Sequence, residues 1–387
     1  MRKLKLQLAV RSLHVGGAER QFLELAKAID KNRFDVTVVV LRTGVLDVEL
    51  GAKGIKVVNL GEAGLRDPRT FLRWRTLIAD ERPDLIYSFM FDVNVCAAIV
   101  RQISPFRPKL VWGIFGSEPD FAKGPRFLRS LFSLLRLLER RADLITSDSY
   151  RGLEFLDRYG FRLSNSAVIF SGTDPERFRR DEQARADFRS QHRLKDNVTA
   201  IGICSRLVHM KGYPILAAAA RRLLAERSDV HFFAAGGGDE RIVTECDRVL
   251  GAERPRFTWI GRVLQPEACL SGWDLYCSSS LYGEGFSNAI IEAMACELPC
   301  VVTDVGDARR QVGDTGVIVQ PGSEEALYQG LNAMLTAPDR GARGSAARQR
   351  VLEHFTLTKM VRRTEAALAH VVEDVLPQRW DQRPALL

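Results

Sequence analysis

The sequence predicts an α/β protein made of two doubly wound parallel-sheet domains. Thirteen short apolar runs recur along the 387 residues, many of them separated by stretches of helical periodicity. Strand, helix, strand is the rhythm of a parallel sheet. The rhythm also stops once, over the polar stretch DPERFRRDEQARADFRSQHRLKDN at 174–197, and then restarts. A length of 387 residues fits two domains at roughly 100–200 residues each.

In the first half the expected strands are 6–10, 35–41, 55–60, 84–89, 109–115, 143–149 and 166–172. Helical patterns follow the first at Gln21–Ile29 and the fourth at VNVCAAIVRQI. In the second half the strands are 198–204, 230–236, 257–261, 274–280, 299–304 and 316–320, with helices at Tyr213–Glu226 and Asn288–Ala295. A last helical stretch runs from roughly Ala347 to Leu376. The expected boundaries are 1–180, 181–360 and a returning helix with tail at 361–387. In such sheets ligands bind outside the carboxyl ends of the strands, so function is sought in the loops that follow them.

Charge is divided unevenly. Up to Arg180 there are 31 Lys and Arg against 21 Asp and Glu; the remainder has 25 against 27. The positive excess therefore lies in the first half, as an anionic partner or a merely soluble basic surface would require. Scarce aromatics among those basic residues argue against a nucleic acid. The seven cysteines form no CxxC pair and lie mostly in apolar runs, which fits a reducing cytosol and no metal site. No apolar run approaches the ~18 residues of a membrane span. The start, MRKLKLQLAVRSL, reads as a first buried strand rather than a secretion signal, because it lacks a small-residue cleavage site.

Three loops carry chemistry. Gly16 and Gly17 precede a helix whose first amides suit an anion; a tight turn without ligand fits the same residues. In SRLVHMKG, Arg206 and Lys211 follow a strand and suit a diphosphate, or are solvated surface cations. YGEGFSNAIIEAMACELP holds Glu284 and Glu292, eight positions apart. On one helix that spacing would set them about 80° off a common face. Glu284 is therefore placed in the loop and Glu292 in the following helix, which is too apolar to be exposed. The amides of Gly285, Phe286, Ser287 and Asn288 form that helix's positive end. Cations and amides for a diphosphate, with carboxylates for sugar hydroxyls, fit a nucleoside diphosphate sugar.

SRLVHMKGYPIL, YGEGFSNAIIEAMACELPCVVTDVGDARRQV and GGAER together resemble the retaining GT-B-fold glycosyltransferases of family 4, the glycosyltransferases group 1. The resemblance runs from about residue 8 to 372. It implies that Glu284 lies by the donor sugar, Glu292 holds the ribose, and Arg206 and Lys211 clamp the diphosphate. It implies a backbone contact from Gly17 to phosphate, and main chain near Arg262 and Val263 holding the base. It implies no divalent metal and no cofactor beyond the nucleotide sugar, here expected to be a UDP sugar. The terminal helix would return to the first domain, and the acceptor would be a membrane-associated glycan or lipid.

Two positions depart from the pattern. Related sequences often carry an HxxHxN-like stretch where this chain has Phe89 and Asp92, and of six histidines only His14 lies in the first domain. Asp92 is the substitute catalytic candidate, or a simple helix N-cap; Ser117, Glu118 and Asp120 lie in the next such loop. Glu297 stands where a glycine is common, and a non-glycine with positive φ is rare. The stretch 124–144 carries Arg126, Arg129, Arg136 and Arg140 beside a wide apolar face. It fits a peripheral helix on an anionic membrane or a packed helix with a solvated edge. The expectation is a cytoplasmic hexosyltransferase, peripheral at the inner face of the cell membrane. A nucleotide-sugar epimerase and an inactive glycan or nucleotide binder are the alternatives.

Overall fold

The computed structural model describes residues 2–14, 16–44, 47–61, 67–116 and 127–373. The chain forms two units: Met1–Gly172 with the helix Leu357–Glu373, and Thr173–Thr356. In the first, seven strands run β1 Leu4–Val10, β2 Phe34–Val40, β3 Lys56–Asn59, β4 Leu85–Phe89, β5 Lys109–Ile114, β6 Leu144–Ser147 and β7 Ser166–Val168. Their order is β3-β2-β1-β4-β5-β6-β7, all parallel. The second unit has β8 Thr199–Cys204, β9 Val230–Ala235, β10 Phe257–Gly261, β11 Leu275–Ser278, β12 Cys300–Thr303 and β13 Val317–Val319. Their order is β10-β9-β8-β11-β12-β13, again all parallel.

The strands are apolar on both faces because helices cover both. Side chains alternate, so Leu6, Leu8 and Val10 of β1 face one core with Phe22 and Leu25, while Ala9 faces another with Trp74 and Trp112. The terminal helix closes the first of these cores with Met360, Val361, Leu368 and Val371. Glu365 anchors that helix, its Oε1 accepting the Asp30 amide at 2.7 Å. In each sheet the winding reverses beside the first strand, between β1 and β4 and between β8 and β11. The crevice at such a reversal is where ligands of these sheets lie.

The chain divides earlier than 180. Residues 173–180 are tied to the second unit: the Thr173 amide donates to Phe355 O at 2.9 Å, Phe178 is buried, and Arg348 Nη1 donates to Phe178 O at 3.1 Å. The same pairing corrects the single helix expected from about 347. It is two helices, Arg340–His354 and Leu357–Glu373, because Phe355 and Thr356 leave helical geometry to bridge Thr173. The polar stretch 174–197 carries the expected short helix, Glu182–Gln191, capped by the Asp181 carboxylate accepting from Ala184 N at 2.8 Å. All seven cysteines are free, and six of them are buried.

Glu297 does adopt the left-handed conformation, with φ of 61°. It ends the helix Asn288–Ala295 by returning the Leu298 amide to Ala293 O at 3.1 Å. Its contact with Arg348, 4.0 Å, is worth little at this exposure. Glu297→Gly is therefore expected to stabilise the protein by about 0.5–1 kcal/mol, the relief of left-handed strain less the entropy of a glycine. Urea unfolding checks this, and a lowered midpoint would contradict it.

Candidate functional site

The second unit's reversal point is built from the loops after β8 and β11. The β8 loop ends in a one-turn helix, His209–Lys211, and the next helix starts at Tyr213. Lys211 Nζ forms an ion pair with Glu284 Oε1 in the β11 loop, and Ser280 Oγ donates to the same oxygen at 2.8 Å. Both side chains are only 15% exposed. The backbone locks the two loops together: Leu281 N donates to Met210 O and Ser279 Oγ to Lys211 O, each at 2.7 Å. Arg206 is exposed, and its guanidinium has no partner among the described residues. Sequence reasoning thus named both members of the central pair but not that they bind each other.

Glu292 is 6% exposed, within a helix whose Ile290, Ile291, Ala293 and Met294 are also buried. The helix start departs from expectation. Ser287 occupies the cap position but its side chain makes no capping bond. Its amide donates to Gln311 Oε1 at 3.1 Å, and Gln311 Nε2 donates to Ser287 O at 2.8 Å. That amide is therefore satisfied within the protein, unlike the open anion donor the sequence suggested. Phe286 turns its ring inward, 5.3 Å from Phe355, so only its backbone belongs to the loop surface. Arg262 is exposed and Val263 half-buried after β10.

Sequence reasoning passed over three residues here. Gln311 gives no local signal, since a lone glutamine has many uses. Gly236 and Gly306 did give one, each following a strand. Gly236 has φ of 149°, and a Cβ there would lie 1.8 Å from Ser205 O, so the β9 and β8 loops meet backbone to backbone. Gly306 has φ of 61°, and its Cβ would lie 2.5 Å from the carbonyls of Glu284 and Gly285. The loop that carries Glu284 is held from behind by this contact.

The first unit has a comparable arrangement at β1 and β4. Arg11, just after β1, donates from Nε to Asp92 Oδ2 at 2.6 Å. That bond raises the Arg11 pKa against the opposing effect of burial, so the guanidinium stays charged. Asp92 is not the N-cap: Met90 holds that position, with φ of 81°, and Asp92 lies in the first turn of the helix Phe91–Ile103. Asp92 Oδ1 is buried without a hydrogen-bond partner among the described residues. Phe89, which stands where the family resemblance led to expecting a histidine, packs between Phe22 and Phe115 at 4.9 and 4.8 Å. Gly16 caps the helix Gly17–Ala28 in extended geometry, and the Glu19 carboxylate folds over it, 2.1 Å from where a Cβ would be. Arg11 was missed because one arginine after a strand is unremarkable in sequence. His14 is exposed; Ser117, Glu118, Asp120 and Arg126 lie outside the described residues.

Among the described residues no group of three His, Cys, Asp or Glu side chains is placed to hold a metal, and no helix is long and apolar enough to cross a membrane.

Comparison with known proteins matches each half separately. The family model Glycosyltransferase Family 4 covers residues 15–177, and Glycosyl transferases group 1 covers 198–337. The chain is 24% identical over 303 residues to the Staphylococcus aureus capsular polysaccharide biosynthesis glycosyltransferase CapM, covering 75% of this chain and 77% of that one. It is 25% identical to the Campylobacter jejuni N-acetylgalactosamine-N,N'-diacetylbacillosaminyl-diphospho-undecaprenol 4-alpha-N-acetylgalactosaminyltransferase, covering 86% and 90% of the two chains. In fold it superimposes on Anabaena Alr3699/HepE, solved in complex with UDP, with a TM-score of 0.82, 22% identity and coverage of 95% and 100%. With two parallel sheets, reversal-point loops and a glycosyltransferase model over each half, the chain belongs to the GT-B glycosyltransferases of group 1 and family 4.

Proposed function

We propose that this enzyme is a retaining transferase that moves a hexose or N-acetylhexosamine from a UDP sugar to a membrane-associated glycan or lipid acceptor. The observation that carries the reading is the Lys211–Glu284 pair at the reversal point of the second unit. It sets a cation for diphosphate beside a carboxylate for sugar hydroxyls, with Arg206 open in the same loop. Glu292 takes the ribose hydroxyls, and the main chain at Arg262 and Val263 takes the base. Gly17 and the amides of Gly285, Phe286 and Asn288 contribute to phosphate.

The bond from the sugar's anomeric carbon to phosphate oxygen breaks as the bond to the acceptor oxygen forms on the same face. The acceptor's proton passes to the leaving phosphate oxygen. Arg206 and Lys211 stabilise the charge that develops there, which is the work a divalent metal would otherwise do. Asp92 orients the acceptor hydroxyl through Oδ1, while Arg11 holds Oδ2. The donor is supported by one protein of similar fold, Anabaena Alr3699/HepE, solved in complex with UDP and with UDP-glucose. The lipid-linked acceptor is supported by the Campylobacter relative, named for a diphospho-undecaprenol substrate. Site of action is the cytoplasm at the membrane's inner face, with the basic helix Phe127–Leu138 as the contact.

A thermal-shift panel of UDP and GDP sugars tests the donor, because a ligand specific to the folded state raises its melting point. Stabilisation by GDP sugars alone would overturn the UDP assignment. Asp92→Ala is expected to slow transfer by about 100-fold, the cost of a misplaced acceptor hydroxyl, and leave UDP affinity unchanged. Wild-type turnover in that variant would remove Asp92 from the mechanism.

A further inference from the structure

The helix Phe127–Leu138 carries features that sugar transfer does not use. Arg129 and Arg136 lie two turns apart and line a cavity of about 370 Å³ with Phe132, Ser133, Tyr159 and Phe161. Phe132 and Phe161 are buried and form its floor. Arg129 is exposed with no side-chain partner among the described residues, and Arg136 uses only Nε, toward Gly160 O at 3.3 Å. The rim is therefore cationic with unspent donors, and the interior is aromatic. The helix contains no acidic residue.

Across the helix's exposed face from the arginines, the far flank is apolar and bare. Phe127 is 61% exposed, Leu134 37% and Leu137 77%. A soluble anion would leave these three in water, and a nucleic acid would not cover them. An anionic membrane satisfies both flanks: the apolar side chains enter the acyl boundary while the arginines stay at the depth of the phosphates.

We propose that this cavity is a headgroup site for an anionic phospholipid. The phosphodiester lies between Arg129 and Arg136, and the headgroup's carbon skeleton lies over Phe132, Tyr159 and Phe161. This rests on the membrane contact proposed above and adds to it a defined pocket and ligand class. The site is separate in role from the acceptor, which is consumed.

The test is sedimentation of the full chain with vesicles of phosphatidylcholine, alone or with phosphatidylglycerol. Binding is expected only to the anionic vesicles. The double variant Arg129→Glu with Arg136→Glu is expected to lose about tenfold or more, and Leu134→Ser with Leu137→Ser to weaken binding similarly. The decisive variant is Ser133→Trp, which fills the cavity without changing charge. It is expected to weaken vesicle binding and abolish titration by soluble dihexanoyl phosphatidylglycerol, with UDP affinity and melting point intact. If Ser133→Trp binds vesicles like wild type, the pocket is not the site although the membrane contact stands. If wild type binds no vesicle, both fall. If inorganic phosphate displaces the soluble lipid at equal concentration, the site reads phosphate alone and the lipid assignment is overturned.

Discussion

With Glu284 replaced by Gln, UDP should bind about fivefold tighter, by the loss of about 1 kcal/mol of like-charge repulsion, while sugar transfer falls about a hundredfold. The two effects oppose each other because Glu284 has two partners in turn. In the unliganded protein its carboxylate holds Lys211 and accepts from Ser280. A diphosphate must take Lys211 away from that carboxylate and then lie close to its charge. Glutamine keeps the shape and removes the competition. In the donor complex, however, the sugar hydroxyls lose a charged acceptor whose bonds strengthen as positive charge builds on the ring. Calorimetric titration with UDP and single-turnover transfer separate the two. Normal turnover would take Glu284 out of the donor-sugar site; weakened UDP binding would mean that the Lys211 pair opens by some other route.

Glu292→Gln is expected to lower UDP affinity by about 10–100-fold, a weakening of its charge-assisted hydrogen bonding by roughly 1.5–3 kcal/mol in all. The carboxylate is 6% exposed and sits in a helix whose neighbouring side chains are apolar and buried. Glutamine preserves the packing, which guards against simple misfolding. A dideoxy analogue of UDP lacking both ribose hydroxyls supplies the cross-check: it should bind wild type and variant equally weakly, since each change removes one side of the same contact. Full UDP affinity in the variant would end the ribose assignment.

Most of the architecture was legible because parallel strands covered on both faces read as near-continuous apolar runs. Every one of the thirteen expected strands is present. The misplaced boundary and the undivided terminal helix share one cause. Both hinge on Thr173 pairing with Phe355 and Thr356, a contact between residues far apart in sequence that no local pattern announces. The placement of Arg206, Lys211 and Glu284 in loops after strands, and of Glu292 in a buried helix, was legible because loop position and composition agreed. Arg11 and Gln311 were not, because each acts only through a residue on another loop. Glu297 was legible as a departure from the pattern but its outcome was not: a changed helix end was the expectation, and the chain keeps the left-handed residue without a glycine.

The helix Leu357–Glu373 also fixes an order of events during synthesis. The first unit's core includes Met360, Val361, Leu368 and Val371, yet the rest of that unit is translated by Gly172. At ribosomal speed the missing helix emerges roughly 10–40 s later. For that interval the nascent first unit presents an open apolar groove along Leu25 and Ile29, a surface that chaperones bind. The second unit, Thr173–Thr356, waits on no later segment for its sheet. The half that is made first is therefore the half that finishes last, and an expression fragment ending at Gly172 should be recovered mainly as aggregate.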